Sequence, residues 1–105
     1  MLMTAPFLLL AVSQEMPTPR PALCRVAGMR VEQLNLSVQL YTPRYATEAD
    51  AADARRRRQD LDGLAKSLKA RFGGAKLTLD DLHALDSLGN EDMLAFASAC
   101  QTLPK

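Results

Sequence analysis

Tryptophan is absent, aromatic residues make up only 5% of the 105-residue sequence, and there is a single histidine. A core for this chain therefore has to be built mainly from leucine, alanine, valine and methionine. Imidazole chemistry has one candidate, His83, with no evident partner. The two cysteines, Cys24 and Cys100, stand far apart and form neither a disulfide framework nor a zinc-binding spacing. Reduced thiols in a cytoplasmic protein are expected. The formal net charge is +1, so no global field draws the chain to nucleic acid or a membrane surface. No run approaches the roughly 20 apolar residues a spanning helix requires. Neither the phosphate-loop pattern nor the dinucleotide-binding glycine pattern occurs.

What is present is a globular composition, 48% hydrophobic and 24% charged. The length suits one small domain. Such a domain is stable by roughly 5–10 kcal/mol at best, so support from a partner or from self-association is expected. Charge is segregated along the chain. Residues 47–54 carry Glu48, Asp50 and Asp53 and no base. Residues 55–72 carry a net charge of +5, starting with Arg55, Arg56, Arg57 and Arg58, and residues 78–101 carry −5.

Residues 7–12 form a continuous apolar run between Pro6 and the Pro17–Pro21 stretch. The run looks like a short signal-peptide core with Ala11-x-Ser13 as a cleavage site. It has no preceding base and is short for that role, so a buried strand is preferred. The proline stretch reads as an extended loop. Leu23–Val26 reads as a short strand and Ala27-Gly28 as a turn. Leu34, Leu36, Val38 and Leu40 then alternate with Gln33, Asn35, Ser37 and Gln39. Period two predicts a strand with these four apolar residues on one face and Asn35 on the wet face. Val31 is out of phase with Leu34, which indicates a bulge or the end of a turn.

Thr47 followed by acids at 48, 50 and 53 predicts a capped helix start. The helix should run from about 48 to 72, with Leu61, Leu64, Ala65, Leu68 and Phe72 on one stripe, Gly63 as a point of bending and Gly73 as a left-handed cap. Leu77-Thr78-Leu79-Asp80-Asp81-Leu82 has the form of a capping box with a hydrophobic staple. A short helix with Leu79, Leu82, Leu85 and Leu88 on one face should follow. A last helix over about 91–103, capped by Asn90, should present Met93, Phe96, Ala97, Cys100 and Leu103. The expected fold is α+β: an N-terminal antiparallel β-ribbon of two or three strands in residues 1–42, one long charged helix over 47–73, and a helical hairpin over 78–103, all in one domain.

Little here points to catalysis. The acid pairs Asp80-Asp81 and Glu91-Asp92 sit in first turns of helices, where the dipole and capping account for them. No cofactor or metal is expected, and no enzymatic activity. Four consecutive arginines span just over one helical turn and point to every side, so they do not form a single reading face. Pairing with neighbouring acids is the leading reading of this basic patch, a protein-binding surface the next, and nucleic acid the last.

In its order of elements, with Leu34–Pro43 as an alternating strand ending in proline and residues 77–86 followed by 90–99 as a capped helical pair, the chain resembles the small tail assembly chaperones of Mu-like and P2-like tailed phages. The resemblance implies a non-enzymatic chaperone that binds an aggregation-prone tape-measure protein in the cytoplasm of the bacterial host. The expected interface residues are Leu34, Leu36, Val38 and Leu40 on the ribbon and Leu79, Leu82, Met93 and Phe96 on the hairpin. Self-association is a second option for the partner. The alternatives are a small secretion-type chaperone or adaptor acting on another protein, and a nucleic-acid-binding regulator that uses the arginine-rich helix.

Overall fold

The computed structural model describes residues 16–41 and 47–104, with side chains described outside 38–41. Its described part is helical. Helix α1 spans Pro21–Tyr41, α2 spans Glu48–Phe72, α3 spans Leu79–His83 and α4 spans Asn90–Cys100. No strand occurs among the described residues, so the α+β expectation is overturned. The expected strand over residues 7–12 lies outside the described residues.

The expected strands at 23–26 and 33–40, and the turn at Ala27-Gly28, are all parts of α1. Pro21 sits in the first turn, where its fixed φ is favourable and its missing N–H is not needed. The Cys24 N–H donates to the Arg20 carbonyl at 2.9 Å and opens the ladder. Cys24, Gly28, Val31 and Asn35 recur at helical spacing, beside a second stripe of Leu23, Ala27 and Leu34. This broad face is what a central helix requires, because α1 packs on α2, α3 and α4. Tertiary burial thus outweighs local alternation. On a helix, residues two apart point about 200° apart, so Leu34 packs against the core while Leu36 is 54% exposed.

Gly28 is a packing residue in the middle of α1. A Cβ placed there would lie 3.0 Å from the Leu68 Cβ of α2. The two helices approach closely because Gly28 has no side chain.

Helix α2 follows expectation. The Thr47 hydroxyl accepts from the Asp50 N–H at 3.1 Å, and Leu61, Ala65, Leu68 and Phe72 are buried. Gly73 ends it, but at φ −60° and ψ −20°, so the left-handed cap is not formed. The capping box at α3 is complete. The Thr78 hydroxyl accepts from the Asp81 N–H at 3.1 Å and an Asp81 carboxylate oxygen accepts from the Thr78 N–H at 2.9 Å. The expected continuation to Leu88 is taken up by tight turns, with bonds from Asp86 to His83 and from Leu88 to Leu85. Helix α4 starts one residue earlier than expected. Gly89 precedes it without a side-chain cap, so Asn90 is inside the helix and does not cap it.

Three arginines at the start and along α1 hold the connection between α2 and α4. Arg20 pairs with Asp81 at 2.6 Å. Arg25 donates to the Ala75 carbonyl at 2.5 Å. Arg30 donates to the Leu82 carbonyl at 3.1 Å and to the Asp86 carboxylate. At the other end, Arg71 donates to the carbonyls of Cys100 at 3.2 Å, Gln101 at 2.6 Å and Leu103, closing the C-terminus of α4. A disulfide joins Cys24 of α1 to Cys100 of α4, with 5.7 Å between the Cα atoms. Both cysteines are fully buried. The expectation of two reduced thiols is therefore corrected: helix packing brings together two residues that are 76 positions apart.

Candidate functional site

The N-terminal half of α2 extends beyond the buried Leu61–Phe72 stripe and leaves a cleft of about 400 Å³ against the C-terminal half of α1. Among the described residues its lining is Asn35 from α1 with Arg55, Arg58, Gln59 and Asp62 from α2. The α2 residues fall at i, i+3, i+4 and i+7, one helical face. Of the four-arginine run, only Arg55 and Arg58 take part, because Arg56 and Arg57 are turned to other sides.

The acid pairing expected for this run is sparse. Arg56 pairs with Asp53 at 3.3 Å and Asp62 with Lys66 at 3.0 Å, both on exposed surface. Arg55 and Arg58 enter no ion pair among the described residues. Asn35 is only 8% exposed, and its Oδ1 has no hydrogen-bond partner among the described residues. A buried polar atom without a partner is costly to stability.

Of the residues expected to bind a partner, Leu36 and Leu79 are exposed, Leu79 by 70%. Leu34 and Leu82 are partly buried against the core. Met93 and Phe96 lie inside it, between α4 and the other helices. The side chains of Val38 and Leu40 lie outside the described set. The six with described side chains do not share one surface, since Met93 and Phe96 are turned into the core while Leu36 and Leu79 face outward.

His83 and Asp86 meet on the surface, with Nδ1 of His83 2.8 Å from a carboxylate oxygen of Asp86. The hydrogen bond from His83, then that from Arg30, holds the Asp86 carboxyl below its ordinary value. This cluster fastens the turn after α3 to α1. The two cysteines are bonded to each other, so neither supplies a thiol to His83. Among the described residues no group of three His, Cys, Asp or Glu side chains is placed to hold a metal ion. No described helix is long and apolar enough to cross a membrane.

Sequence reasoning missed Asn35, Gln59 and Asp62. Asn35 was legible in principle: counted at helical period from Cys24 through Gly28 and Val31, it falls on the buried stripe. Comparisons of the chain with protein-family models, with curated proteins and with solved structures find no match.

Proposed function

We propose that this chain is a disulfide-clasped, non-enzymatic domain that binds a segment of another protein. The observation that carries the reading is the α1–α2 cleft, in which Arg55 and Arg58, exposed and without ion-pair partners among the described residues, stand beside Asn35. Among its described lining residues the cleft offers directional guanidinium and amide donors, which is the chemistry of recognition.

The tail-chaperone expectation leaned on an alternating strand, and that segment is part of α1. The class of function it implied, holding another chain without making or breaking bonds, is the part retained here; a tape-measure protein is one such client. The Cys24–Cys100 bond favours an oxidising compartment over the expected cytoplasm, since disulfides between buried cysteines persist where thiols are not kept reduced.

The test is a photo-crosslinking amino acid placed at the exposed Leu36, one residue from the cleft asparagine, in the native cell. A discrete adduct with another protein, absent when the same label is placed at the exposed Ser98 of α4, is expected. No adduct from Leu36 while the protein is oxidised and folded overturns the proposal.

A further inference from the structure

We propose that α4 is a redox-latched lid: the Cys24–Cys100 bond fixes it over the N-terminal half of α1, and in the dithiol form of the chain it lifts while α1 and α2 stay paired. This device goes beyond the protein-binding reading and does not depend on the α1–α2 cleft.

The ties of α4 are weaker than those of the other long helices. Helix α1 packs most heavily on α2, while α4 lies chiefly against α1 and touches α2 less. The α1–α2 pair is held without α4: Gly28 lies close against Leu68, Lys69 pairs with Glu32 at 3.2 Å, and Leu61, Ala65 and Leu68 are buried on the facing stripe. The connection before α4 is anchored as far as Asp86, which Arg30 holds to α1. Beyond it, α4 is kept in place by Met93, Phe96, Ala97 and Cys100 in the core and by Arg71 on its last carbonyls. Among the described residues no ion pair reaches it. A helix of 11 residues is marginal on its own, so α4 persists only where it is docked.

The disulfide therefore counts for most at this part of the fold. With Asp86 held, it closes a local loop of about 15 residues, and losing that closure raises the open fraction of α4 by about a hundredfold. Lifting α4 exposes its Met93 and Phe96 and the part of α1 around Cys24, apolar surface that the oxidised chain hides. The redox state thus sets whether that surface is presented.

Releasing the latch takes a dithiol reductant. Its thiolate attacks one sulfur, the S–S bond breaks, and the other cysteine leaves as a thiolate; its second thiol then displaces the first cysteine. Two electrons and two protons pass to Cys24 and Cys100, and the reductant ends as a disulfide. Both cysteines are fully buried, so the attack occurs only in molecules that have opened, and the oxidised latch releases slowly.

The experiment uses the full chain, reduced with dithiothreitol and freed of it without air. Alkylation of Cys24 and Cys100 by iodoacetamide is timed across low urea, where the rate of labelling buried thiols follows opening. The urea dependence of that opening should be under about half of the dependence for unfolding followed by circular dichroism, because lifting α4 exposes a small share of the surface. Hydrogen exchange by mass spectrometry gives the second readout. Against intrinsic rates, amides of residues 93–100 should exchange about tenfold faster or more than those of residues 26–35 and 62–72 in the same reduced chain. Equal urea dependences overturn the proposal, as does one common protection across α1, α2 and α4, since either means that the reduced chain opens only as a whole. Loss of helix throughout the reduced chain in the absence of urea overturns it as well.

Discussion

Breaking the Cys24–Cys100 bond should bring the domain close to unfolding. The bond closes a loop with a sequence separation of 76 residues, and chain entropy assigns such a closure about 4.5 kcal/mol of stabilisation. A domain of this size holds roughly 5–10 kcal/mol in total, so about half or more of its stability would depend on one bond. In thermal terms the loss corresponds to a fall of about 20 °C or more in Tm. The assay is urea denaturation followed by helical circular dichroism, on the oxidised chain, the reduced chain and the Cys24→Ala, Cys100→Ala double variant. Alanine avoids burying a hydroxyl at two fully buried positions. The reduced chain isolates loss of the cross-link, and the double variant adds the cost of two small cavities. Both cysteines are inaccessible, so reduction of the folded protein should be slow and should accelerate in low urea as the helices open. A stability difference under about 1 kcal/mol between oxidised and reduced chains would refute the reasoning, as would alkylation of both thiols in the non-reduced, unfolded protein.

Four further perturbations follow from the structure. Gly28→Val should destabilise by about 1–3 kcal/mol, because its Cβ would already crowd Leu68 at 3.0 Å, while Gly63→Ala, with open space around it, should stabilise by about 1 kcal/mol; denaturant midpoints check both. Asp81 is held below the ordinary carboxyl value of 3.8 by the Arg20 guanidinium first and the Thr78 N–H next. Its contribution is therefore present above the unfolded value and lost as pH falls through the folded one, and Asp81→Asn should lower stability at neutral pH and flatten the acid limb of a pH–stability curve. Arg71→Lys keeps the charge but loses the fork that reaches three carbonyls. It should cost about 1–2 kcal/mol and speed hydrogen exchange in the last turn of α4.

The caps of α2 and α3 and the end of α2 were legible because they are local. Thr47 and Thr78 bond to amides three residues on, and nothing distant alters that choice. The stripe from Leu61 to Phe72 was legible for the same reason, since burial along one side imposes a clean helical period. The segment 23–40 was not, because its local alternation and its helical stripe compete. Gly28 reads as a turn until α2 is known to press against it, and the short-range pattern gives no weight to that contact. The cleft shared this difficulty. Arg55 and Arg58 were visible as part of a basic run, but only the position of α1 separates them from Arg56 and Arg57.

By itself, the sequence determined where α2 and α3 begin and which faces of α2 and α4 are apolar, because capping hydrogen bonds and side-chain periodicity act within a few residues. Only the tertiary structure decided that α1 is a helix, that Cys24 meets Cys100, and that Asn35 is buried at the wall of a cleft. Each of those outcomes depends on burial against residues tens of positions away, and burial is a property of the assembled helices.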